Sequence, residues 1–158
     1  MAWPKVIFLG FSGVINSIDF FKNKKSNKDE RPLPDSLVDQ DKILLLNKIV
    51  SETKANIVVT SMLRKTKTSE ELEDLLRRNG ATFRVLDRTP VLTESEESSF
   101  LREEEILLWL DNNPFVDYFV VLDSNNKMNK LSKQLVAPNQ KTGLQDKQVQ
   151  DIIARLKS

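Results

Sequence analysis

Cysteine and histidine are both missing from this chain of 158 residues. Without cysteine there is no disulfide, no thiolate metal site and no thiol nucleophile. Without histidine the usual general base at neutral pH and the commonest metal ligand are gone as well. Acid–base chemistry would fall to Asp, Glu, Lys or Tyr, and there is a single Tyr. An excess of one charge is also lacking: 24 Lys and Arg stand against 23 Asp and Glu, so no global field draws the chain toward nucleic acid or an anionic membrane. No apolar run approaches the ~20 residues that cross a bilayer, and no basic stretch precedes the first apolar one as in a secretory leader. A cytoplasmic protein without membrane contact is the expectation. With 39% hydrophobic residues the chain suffices for one sizeable core, so 1–158 reads most simply as a single domain.

Glycine is scarce, with four in all, yet Gly10 and Gly13 fall within four positions. They follow Lys5-Val6-Ile7-Phe8-Leu9, an apolar run that reads as a buried strand with a sharp bend at its carboxyl end. In α/β folds the crevice beyond such strand ends is where ligands bind. Ser17 to Pro34, with Lys22, Lys24, Lys25 and Lys28, reads as an exposed loop or basic flap. Asp41 to Thr53 carries a broad apolar stripe, as a helix on a sheet does. Asn56 to Thr60 predicts a second buried strand. A helix capped at Ser69 then runs through Leu72, Leu75 and Leu76 toward Gly80. Thr82 to Leu86 is a third strand, and Ser98 or Ser99 would cap a helix through Trp109 that Pro114 ends. Tyr118 to Asp123 is a further strand. A short helix near Met128 to Leu135 and a last one through Val149, Ile152, Ile153 and Leu156 complete the chain. This alternation predicts an α/β fold, a mostly parallel sheet with helices on both faces. Trp3 and Trp109 read as packing residues, since neither lies in a basic, aromatic-interleaved stretch.

Several segments carry a family resemblance. Lys5 to Asn16 resembles the first motif of the haloacid dehalogenase (HAD) superfamily, a strand followed by Asp-x-Asp-Gly-Val-hydrophobic-Asn. Ile57-Val58-Val59-Thr60-Ser61-Met62-Leu63-Arg64 is similar to the second motif, whose hydroxyl holds a phosphate oxygen, and more narrowly to the Ser-Ser-Trp-Arg variant of small capless members. Arg102 to Leu110 is similar to their Arg-x-x-Glu-Ile-x-x-Trp-Leu helix, whose cation fills the third-motif role. Val120-Val121-Leu122-Asp123-Ser124 resembles the fourth motif, where paired acids hold magnesium. Gly143-Leu144, after Leu135-Val136, is similar to the closing segment. Four motifs in the right order over Lys5 to Leu156 imply a Rossmann-like HAD fold with little or no cap.

The same resemblance implies that the chemistry is degraded. Gly10 stands where the family's nucleophilic Asp should be, Ser12 where its acid/base Asp should be, and Ser124 in place of one metal-binding acid. Asp123 alone remains, as a weak metal ligand or none. No cofactor is expected, since magnesium needs several charged oxygens, and loss of a nucleophile costs on the order of 10⁶ in rate. The expectation is a pseudophosphatase that serves as a binding or regulatory module, with an anion pocket made by Ser12, Thr60, Ser61, Arg64 and Arg102. Arg102 lies in the first turn of its helix, where a cation opposes the helix dipole; that local conflict marks it for function. The partner would be another protein or a phosphate-bearing ligand, with a nucleic-acid end suggested by analogy to capless repair domains. Two alternatives stand beside this: a protein-interaction domain with a vestigial pocket, and a divergent phosphohydrolase using Asp123 with a metal-bound water.

Overall fold

The computed structural model describes residues 4–24, 37–92 and 100–157. Its centre is the first apolar run, β1 (Lys5–Leu9). Alternate side chains of a strand point to opposite faces. Val6 and Phe8 accordingly join one apolar cluster and Ile7 and Leu9 the other, all fully buried. Such two-sided burial is what a central parallel strand requires. Four more strands complete an all-parallel sheet: β2 (Asn56–Val59), β3 (Val85–Arg88), β4 (Tyr118–Leu122) and β5 (Leu135–Val136), in the order β3-β2-β1-β4-β5.

From β1 the chain moves outward to β2 and β3 through α2 (Gln40–Thr53) and α3 (Ser69–Arg78), whose apolar residues share the cluster of Ile7 and Leu9. It then crosses back to β4 through α4 (Leu101–Asn112), which packs on the opposite face against Val6 and Phe8. Here Trp109 meets Phe8 edge to face at 5.4 Å and donates its indole N–H to Asp87 Oδ2 at 2.7 Å. The last helix, α5 (Asp146–Leu156), returns to the first face beside α2. The strand order therefore reverses between β1 and β4. In an open α/β sheet the crevice outside the strand ends at such a reversal is the ligand site.

Most elements fall where the sequence places them, and the departures have physical causes. The polar stretch after Asn16 opens as a helix, α1 (Ile18–Lys24), because the Ser17 hydroxyl accepts the Phe20 N–H at 3.0 Å and caps it. Of the basic flap, Lys22 is exposed; Lys25 and Lys28 lie outside the described residues, as does Trp3. The cap of α3 is Thr68, not Ser69, and forms a reciprocal capping box with Glu71. Strand β3 starts at Val85, not Thr82: its pairing with β2 begins at Ile57 and Val85, and Phe83 is drawn into the core ahead of it. α4 begins after Phe100 without a side-chain cap; Ser98 and Ser99 lie outside the described residues. The helix expected near Met128 to Leu135 is absent. Glu103 Oε2 takes the N–H groups of Asn129 and Leu131 at 2.6 and 2.9 Å, folding that segment into turns that deliver Leu135 and Val136 as the edge strand.

Candidate functional site

Ladder bonds carry past the ends of the central strands and fix what stands in the crevice. Gly10 N–H bonds Leu122 O, Thr60 N–H bonds Leu9 O, and Asp123 N–H bonds Val136 O, at 2.9, 2.9 and 3.2 Å. Gly10, Thr60 and Asp123 thus follow directly on β1, β2 and β4. The turn after Gly10 needs Gly13 at φ +75°, and a β-carbon there would fall 2.5 Å from Ser124 Oγ. That hydroxyl donates to Ser12 O at 2.8 Å, tying the two loops together. Asn16 braces the turn from inside, its Oδ1 accepting from Gly13 N–H and its amide donating to Leu37 O.

Across this turn lies a half-buried ion pair. Arg102, in the first turn of α4, reaches Asp123 with Nη1 at 2.7 Å from Oδ2. The other carboxylate oxygen accepts the Asn125 N–H at 2.9 Å, and Asp123 is 1% exposed. A cation facing the crevice resolves the conflict between Arg102 and its own helix dipole. The pair borders an open cavity of about 550 Å³ lined by Ser12, Arg102, residues 123–126 and residues 137–140. Its walls are rich in carboxamides: Asn125, Asn126, Asn139 and Gln140.

The expected anion-binding set is only partly brought together. Ser12 and Arg102 line the cavity, as do Asp123 and Ser124. Thr60 is fully buried at the end of β2 with its hydroxyl unpartnered, and it is not a wall residue. Ser61 caps the following 3-10 turn (Met62–Lys65), its hydroxyl accepting the Leu63 N–H at 3.2 Å.

Arg64 is taken up elsewhere. Its guanidinium donates to the carbonyls of Thr60, Ser61, Thr89 and Pro90, and pairs with Glu105 of α4. Burial lowers its pKa from the ordinary value, and the Glu105 carboxylate opposes that. An arginine so committed clips the ends of β2 and β3 to α4 and has no donor to turn to a ligand. Sequence reasoning missed this partnership, although both ends lie within the motif segments. It also missed the carboxamides, whose only sequence signal is the run of turn-forming residues after Asp123.

Magnesium does not fit these residues. Among the described residues the crevice offers one carboxylate, both of whose oxygens already accept hydrogen bonds, one from a guanidinium. Among the described residues no three acidic side chains converge. A divalent cation would meet the charge of Arg102 and too few anionic oxygens to replace its water.

A family model described as the HAD domain in Swiss Army Knife RNA repair proteins matches residues 6–149. The chain belongs to this HAD family. The match spans all five strands and the Arg102–Asp123 crevice. No curated protein and no solved structure matches the chain. The parallel five-stranded sheet is the architecture a HAD domain has, and no described helix is long and apolar enough to cross a membrane.

Proposed function

We propose that this HAD domain is a non-catalytic binding module that holds the phosphate of a phosphorylated RNA end. The observation that carries the reading is Gly10 at the end of β1. It brings no oxygen nucleophile to the crevice, and the nearest carboxylate, Asp123, is tied by both oxygens. Phosphoryl transfer needs a nucleophile free to attack in line. The crevice retains the complement of an oxyanion: the Arg102 guanidinium and a backbone N–H at Asn125.

Charge and family narrow the ligand. Residues 124–157 hold seven Lys and Arg against two Asp, and Lys127 and Lys141, next to wall residues, are exposed. A cavity with a cationic centre, carboxamide walls and a basic rim suits a phosphate attached to further phosphates and bases. The family's occurrence in RNA repair proteins points the same way.

The test is titration of labelled RNA oligonucleotides carrying a 5′-phosphate, a 3′-phosphate or only hydroxyl ends. The phosphorylated ends should bind at least tenfold more tightly, and Arg102→Ala should erase that advantage, since a hydrogen bond to a charged group contributes roughly 1.5–3 kcal/mol. Equal binding of all three ends would refute the reading.

A further inference from the structure

The space left by the missing side chain at position 10 is filled. A β-carbon on Gly10 would fall 2.8 Å from Asp123 Oδ2, 2.9 Å from its Cγ and 3.2 Å from Oδ1. The β4 carboxylate therefore stands against β1, in room that any larger residue at position 10 would take. Gly10 is not held at positive φ, so the backbone would accept alanine and only the carboxylate excludes it. In this place Asp123 receives a guanidinium on one oxygen and a backbone N–H on the other. These are the donors that recognise phosphate and sulfate oxygens. One residue away across the β1–β2 ladder, the buried Thr60 hydroxyl lacks a partner.

We propose that the spot over Gly10 is an oxyanion seat whose resident occupant is the Asp123 side chain, so that a ligand phosphate or sulfate group enters by displacing that carboxylate from Arg102. This rests on the anion-binding reading above and adds the competitor. The carboxylate fills the space over Gly10 and its charge repels a second anion beside it, so a ligand oxyanion takes that place only as the Asp123 side chain leaves it. Neutralising the carboxylate should strengthen binding, whereas altering a residue that merely lines a pocket would weaken it.

The experiment is titration with sodium sulfate at constant ionic strength, followed by the Asn125 amide resonance, for the wild type, Asp123→Asn and Gly10→Ala. The first variant removes the competing charge at nearly constant shape. The second puts a methyl group into the seat itself. Asp123→Asn is expected to bind sulfate at least tenfold more tightly than wild type and Gly10→Ala no more tightly, and Arg102→Ala combined with Asp123→Asn should cancel the gain. Affinity of a folded Asp123→Asn variant equal to or below wild type overturns the proposal, as does a gain in Gly10→Ala. The wild type gives a decisive reading even where a variant fails to fold: saturating sulfate must move the Asp123 carboxyl carbon resonance, and an unmoved one overturns the proposal. An unchanged sulfate affinity in Asp123→Asn alongside tight binding of phosphorylated RNA would sink the seat alone. Tighter sulfate binding in Asp123→Asn, with wild type indifferent to the RNA end, would sink the proposed function alone.

Discussion

Arg64 and Glu105 form an ion pair inside the protein, at side-chain exposures of 1% and 5%. The second oxygen of Glu105 accepts the Leu92 N–H at 3.0 Å, so one carboxylate joins α4 to the segments after β2 and β3. With Trp109 one turn further on, it fixes the helix that presents Arg102. Breaking a buried pair by removing one partner costs about 3–5 kcal/mol. Glu105→Ala should therefore lower the urea unfolding free energy by that amount. The double variant Arg64→Met, Glu105→Leu should not recover the loss, because the carbonyls of Thr60, Ser61, Thr89 and Pro90 lose their donor as well. A loss below about 1 kcal/mol in the single variant would show that the clip is not structural.

An acid placed at position 10 should not bring hydrolysis. Gly10→Asp places new atoms where the Asp123 carboxylate stands and adds a second charge beside it. Overpacking costs about 1–3 kcal/mol, and each kcal/mol lowers Tm by about 2–4 °C in a domain of this size. We expect Gly10→Asp to melt several degrees lower and to release no phosphate from p-nitrophenyl phosphate with magnesium, as wild type should release none above an Asp123→Ala control. Turnover by either protein would contradict the account.

Magnesium should leave stability unchanged. A ligand that binds only the folded state raises Tm in proportion to its affinity, and the crevice pairs its one carboxylate with a cation. Thermal melting in millimolar magnesium and in EDTA should coincide. An upward shift of several degrees with magnesium would require acids not assembled in this structure.

One pH effect follows from the α3 cap. The Glu71 carboxyl is held below its ordinary 4.5, first by the backbone N–H of Thr68 that it accepts. A depressed carboxylate pKa gives stability that is present above the unfolded value and lost as pH falls through the folded one. Glu71→Gln keeps the capping geometry without the charge. Wild type should exceed it by a constant margin above pH 4.5 and lose that margin on acidification, as read from Tm across the range. A margin that grows with acid would reverse the sign.

The sheet was legible in the sequence because β1, β2 and β4 are short apolar runs bounded by turn residues, a pattern that burial on both faces imposes. Segments whose form depends on a distant side chain were not. Residues 128–134 carry apolar spacing compatible with a helix, yet the Glu103 carboxylate decides their path. The site was legible at Arg102, where the cation conflicts with its helix end. Arg64 gave no such sign, because its partners Thr89, Pro90 and Glu105 lie 25 to 41 residues away and no local pattern records them. The filling of the space over Gly10 by the Asp123 carboxylate joins two strands and is visible only once β1 and β4 are paired.

The most direct test of the central claim is a phosphorus NMR spectrum of the wild-type protein, at stoichiometric concentration, with a 5′-phosphorylated RNA oligonucleotide and magnesium. A non-catalytic oxyanion site predicts that the terminal phosphate resonance shifts or broadens on adding protein and stays undiminished over hours. Appearance of an inorganic phosphate signal, or a terminal resonance untouched by the protein, would contradict it.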